Sequence, residues 1–160
     1  MKYILITLIT FGALPALAQL KTTQVCPSMY VDILDGKVNG VEADFTAGQV
    51  KQYLPCYTSE ENASSACGSA VFYKDKDIYF YTGRGYIEIR DKFKGKMSIP
   101  LMGANRTGLF KWLGHPQIKD VTWDCFQTQY GILILNYTKA GRVNKIQFTK
   151  KSAQTIQLCQ

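Results

Sequence analysis

A short amphipathic pattern occurs twice in the chain, and each time a run of strand-like segments follows it. Thr46–Leu54 carries Val50, Tyr53 and Leu54 near helical spacing, with Phe45 ahead of it and Pro55 as a stop. Asn105–Leu113 repeats the arrangement: Leu109, Trp112 and Leu113 take those three places, and Gly114-His115-Pro116 ends the segment. Strand-like runs follow the first window at 70–73, 77–81 and 86–90, and the second at 121–126, 131–137 and 143–148. Extended lead-ins precede the windows around 30–34 and 97–101. The reading is two tandem units, about 29–90 and 97–149. Neither is large enough to cover its own apolar face, so the two share a core. The expected fold class is α+β, with two helix-plus-antiparallel-meander units forming one sheet and the helices packed on one face.

The first 18 residues stand apart from this plan. Lys2 gives a cationic start, Tyr3–Leu14 is almost wholly apolar, and Ala16-Leu17-Ala18 offers a cleavage site before Gln19. That is the pattern of a secretory leader, so residues 19–160 are expected as the mature domain, periplasmic or secreted. The apolar run closes at Pro15, short of the roughly 20 residues a membrane-spanning helix needs. Thr23-Gln24-Val25 before Cys26 lacks the small residues of a lipid-attachment box.

Composition excludes a disordered chain. Hydrophobic residues make up 46% and charged residues 19%, with 10 Tyr, 8 Phe and 2 Trp. The net charge is +7 over 160 residues, but the basic side chains are scattered singly. A solvated basic surface, or one suited to an acidic protein partner, is expected rather than nucleic-acid binding.

Five cysteines in an exported chain imply disulfides and one odd thiol. Cys56 and Cys67 enclose a polar loop and are expected to pair. Cys125 lies one position from the repeat equivalent of Cys67, while His115 stands at the equivalent of Cys56. That leaves Cys125 unpaired and Cys26 to join Cys159, tying the chain ends.

The second unit carries the succession Leu113-Gly114-His115-Pro116, a strand with Trp123, Tyr130-Gly131-Ile132-Leu133-Ile134, and Gly141-Arg142-Val143-Asn144-Lys145-Ile146. This resembles the superfamily of β-lactamase-inhibitor-protein-like (BLIP-like) domains and the related small envelope proteins of the SmpA/OmlA type. The resemblance implies an exported domain of two helix-plus-meander units with a short-range disulfide after the helix, and the spacing of Cys56 and Cys67 is similar to that bridge. It implies binding to proteins and names no particular partner.

No catalytic set is expected, and no cofactor or metal. His115 is the sole histidine and sits in a turn. Asp32, Asp35, Glu42 and Asp44 flank the turn 35–40 and suit turn formation and capping. Thr82-Gly83-Arg84-Gly85 precedes a strand rather than a helix, so it is no phosphate cradle. Three asparagines, Asn62, Asn105 and Asn136, begin glycosylation triplets that have meaning only in a eukaryotic secretory route. The informative feature is alternation. Ile78, Phe80, Ile87 and Ile89 share one strand face, leaving Tyr79, Tyr81, Tyr86 and Arg90, with Glu88, on the other. If helices cover only one face, these tyrosines and Arg90 form an open partner-binding face, since Tyr and Arg are enriched at interface hot spots. The expected function is a non-enzymatic exported module that docks another protein, as an inhibitor or immunity protein or, alternatively, as an envelope assembly factor.

Overall fold

Thr46 and Asn105 each start a helix by satisfying free backbone N–H groups at its first turn. The computed structural model describes residues 25–159, so the expected leader and its expected cleavage site lie outside the described residues. Ala47–Tyr53 forms α1, where Thr46 and Gln49 close a reciprocal capping box. Arg106–Leu113 forms α2, where Asn105 Oδ1 accepts from the Thr107 backbone N–H at 3.2 Å. Gly114 ends α2 at φ +73°, a conformation that glycine adopts without strain.

Among the described residues there are twelve strands in two sheets. Lys37–Val38 (β2) lies between Val41–Glu42 (β3) and Met29–Asp32 (β1), and β1 also pairs in parallel with Gly95–Met97 (β8). These four make the smaller sheet. The larger begins with Ser59–Glu61 (β4), Ala70–Tyr73 (β5), Ile78–Tyr81 (β6) and Tyr86–Arg90 (β7). Its other half comprises Ile118–Lys119 (β9), Trp123–Gln127 (β10), Ile132–Tyr137 (β11) and Val143–Thr149 (β12). The spatial order is β4-β5-β6-β7-β12-β11-β10-β9, antiparallel throughout.

The expected α+β arrangement of one sheet roofed by helices is therefore corrected to a mostly β molecule with two sheets. The dimensions give the reason. Eight strands at about 4.8 Å spacing span about 34 Å, whereas helices of 7 and 8 residues are about 11–12 Å long. Two such helices leave most of the face uncovered. The lead-in strands do not join the meanders; they form the four-stranded sheet that fills the gap. Val31, Ile33, Val38 and Val41 from that sheet and its turn meet Ile78, Phe80, Ile87, Ile89, Ile146 and Phe148 of the larger sheet in one core. From the helices only Val50 and Leu109 are buried, joined by the cap residue Leu54. Tyr53 and Trp112, read as members of the apolar stripe, are exposed.

A charged contact fixes α2 to the sheet from within this core. Asp124 on β10 is fully buried; Arg106 at the start of α2 forks onto its carboxylate, and the Tyr137 hydroxyl donates to it at 2.8 Å. Arg106 also donates to the Val121 and Asp120 carbonyls, so one guanidinium holds helix, loop and strand together.

The bridges join Cys26 to Cys56 and Cys67 to Cys159, and Cys125 is free and buried. The four bridged cysteines are those expected, but the partners are exchanged. The large sheet separates them. Cys56 lies with Cys26, Met29, Leu54 and Tyr73 on the core side, whereas Cys67 packs with Tyr81, Tyr86, Leu158 and Cys159 on the opposite face. Two disulfides accord with an oxidising compartment. Among the described residues no helix is long and apolar enough to cross a membrane.

Candidate binding surface

The opposite face of the large sheet presents its side chains in rows set by the strand register. The middle row runs Ser59, Phe72, Tyr79, Glu88, Gln147, Ile134, Cys125, Ile118 across all eight strands. One flanking row holds Ala70, Tyr81, Tyr86, Thr149 and Ile132; the other holds Arg90, Lys145, Asn136 and Trp123. Period-2 alternation thus brings the four predicted site residues onto one face.

That face is not open as expected. After β12 the chain turns back, and Ile156 and Leu158 lie over the sheet, touching both the tyrosine cluster and the cluster around Cys125. Four contacts pin this strap. Cys67 bonds Cys159, the Cys159 backbone N–H donates to the Tyr86 hydroxyl at 3.0 Å, Arg84 donates to Gln157 Oε1 at 2.7 Å, and the Lys151 ammonium donates to the Arg84 carbonyl at 2.7 Å. Tyr86 is consequently 1% exposed and Tyr81 8%, and their rings stack at 4.6 Å. Burial pushes both phenol pKa values up, well above the usual tyrosine value for Tyr86. These two tyrosines are core residues of the second face and are corrected as surface candidates.

Tyr79 and Arg90 remain half-exposed. The Arg90 guanidinium lies 4.0 Å from the centre of the Tyr79 ring and donates to Glu88 at 2.6 Å. Glu88, merely outward by alternation, is 3% exposed and also accepts from Gln147 Nε2 at 2.7 Å; Gln147 in turn accepts from Asn136 at 3.2 Å. This chain of contacts from β6 to β11 was missed in the sequence, where Glu88, Gln147 and Asn136 sit far apart. Its effect is to hold Arg90 over the Tyr79 ring, so little side-chain freedom remains to be lost on contact with a partner.

Around this pair the exposed or half-exposed side chains include Lys74, Lys145 and Trp123, and also Asp77, whose carboxylate accepts from the Tyr79 hydroxyl at 3.0 Å. Beyond Trp123, between β10–β12 and the strap, is a cavity of about 440 Å³. A second concavity of about 740 Å³ lies on the far side of the molecule, where Leu34 and Trp112 stand 64% and 79% exposed beside Ile99 and Leu109.

The other groups considered for chemistry have local roles. His115 packs on Phe110 at 6.1 Å between ring centres, in the turn after α2. The Cys125 thiol is buried, which pushes its pKa up and away from the reactive thiolate. Asp32 accepts from the Leu34 and Asp35 backbone N–H groups, shaping the turn. Glu42 and Asp44 are paired with Lys150. The 82–85 turn fits its glycine against backbone: a Cβ on Gly83 would meet the Ser69 nitrogen at 2.6 Å. No group of three or more His, Cys, Asp or Glu that could hold a metal occurs among the described residues. Set against known proteins, the chain matches no family model, no curated protein and no solved structure.

Proposed function

We propose that this chain is an exported, non-enzymatic protein-binding module that docks an acidic partner through the open half of its second sheet face. The observation that carries the reading is the Tyr79–Arg90 pair, half-exposed and held in place from beneath by buried Glu88. A pre-positioned arginine on an aromatic ring has the composition of an interface hot spot and has already lost most of its rotamer freedom. Lys74 and Lys145 beside it, with the net charge of +7, favour a partner of opposite sign. The resemblance to inhibitor-type domains supports the same reading, with neutralisation of an envelope-targeted enzyme as its most concrete form. The two disulfides support a periplasmic or secreted setting.

Immobilised mature protein should capture a partner from envelope extract, and two substitutions should release it. Tyr79→Ala removes the ring. Arg90→Lys keeps a cation for Glu88 but loses the guanidinium that lies over the Tyr79 ring. Each should weaken binding by about 2 kcal/mol, as at other hot spots, with the melting temperature nearly unchanged. A partner held equally well by both variants but lost on Trp112→Ala would move the interface to the α2 side and overturn the proposal.

A further inference from the structure

The cavity under the strap has the build of a small-molecule site. Its volume of about 440 Å³ falls within the range of about 300–1,000 Å³ usual for such sites. Its lining reaches along β11 from Ile132 through Ile134 to Asn136, about 13 Å at about 3.3 Å per residue. The two ends differ in chemistry. At one, Ile132 and Ile134 form the floor while Ile156 and Leu158 of the strap form the roof. At the other, Asn136, Gln147 and Lys145 line the wall.

The polar end has a single cation, Lys145. Gln147 is engaged by both Glu88 and Asn136, and the Glu88 carboxylate is shared between Gln147 and Arg90. The Lys145 ammonium, in contrast, has no hydrogen-bond or ion-pair partner among the described residues. A cavity with an apolar end under the strap and an unpaired cation at its polar end suits an amphiphilic anion. We propose that the cavity binds a medium-length acyl carboxylate, with its chain along β11 beneath the strap and its carboxylate on Lys145. Trp123, also in the lining, then lies against the bound molecule.

Tyr79 and Arg90, which carry the protein-docking proposal, do not line the cavity; Lys145 is shared, so Tyr79→Ala should leave decanoate binding unchanged whether or not that proposal holds. The test uses the disulfide-bonded protein carrying Trp112→Phe, so that emission comes from Trp123 alone, the chain having 2 Trp. Decanoate is the probe and decanol its uncharged control. Decanoate should change the Trp123 emission saturably, and Lys145→Gln should weaken that binding by about tenfold while leaving decanol unaffected. Ala153→Phe, which fills the cavity from the strap side, should abolish both responses. Lys145 and Ala153 are half-exposed, so both variants should keep the parent melting temperature, and that is checked alongside. The proposal is overturned if decanoate gives no saturable response. It is equally overturned if decanol binds as tightly as decanoate, or if folded Lys145→Gln and Ala153→Phe bind decanoate as the parent does.

Discussion

Carboxylates are treated in two ways by this fold. Glu88 and Asp124 are taken out of solvent, and each is matched to an arginine with further hydrogen bonds to the same group. Glu42 stays near the surface, where Lys150 and then Lys37 hold its pKa below the usual carboxylate value. A lowered folded-state pKa means that the ion pairs stabilise above the unfolded pKa. That stability is lost as pH falls through the folded value. At about pH 7, Glu42→Gln should therefore lower the urea midpoint slightly, by under about 1 kcal/mol because the pairs are partly solvated. Once the pH is below the folded-state pKa, the protonated parent and the variant should have the same midpoint. A gap that widens in acid would contradict the assignment.

Among the elements, the strap decides most of what the second face can do. Cys67–Cys159 closes a loop over a sequence separation of 92, so Cys159→Ser should cost about 4 kcal/mol by chain entropy. Loosening the strap should also let Tyr81 and Tyr86 titrate at lower pH than in the parent, because burial is what raises them. Denaturation and ultraviolet tyrosine titration of that variant measure the two effects separately. The strap was also the least legible element in the sequence. Strands β6 and β7 show their two faces through strict alternation, and α1 and α2 show their starts through local capping by Thr46 and Asn105. Residues 152–159 have no such period, and only Ile156 and Leu158, two apart, hint at one-sided cover. Strands of two residues such as β2, β3 and β9 leave no periodic trace either. Cysteine pairing failed for a related reason. Loop length favours Cys56 with Cys67, but the choice depends on which face of a sheet each occupies, and that is settled by residues far away in the chain.

For the whole molecule, the seam between β7 and β12 makes two half-sheets into one. Ile89 faces Ile146 and Ile87 faces Phe148 across it, all buried in the shared core. Ile89→Ala should cost about 2–5 kcal/mol through the cavity it leaves. Both tryptophans, Trp112 and Trp123, lie beyond β7 in the chain. If the halves unfold together, tryptophan emission should report the same midpoint shift as far-ultraviolet circular dichroism. Separate midpoints would mean that the second half stands alone.

The order of the thiols along the chain sets a problem for oxidative folding. Cys26 finds Cys56, the next cysteine, but Cys67 must pass over Cys125 to reach Cys159. Until β10 and β11 pair and bury Cys125, a 67–125 bridge closes a shorter loop and competes kinetically with the native one. Refolding from the reduced, unfolded protein should accordingly stall in a misbridged species that thiol–disulfide isomerase rescues. Cys125→Ala should reach the native pairing without that help, as peptide mapping over the time course would show. The unpaired thiol, inert once buried, is a hazard only while the protein is being made.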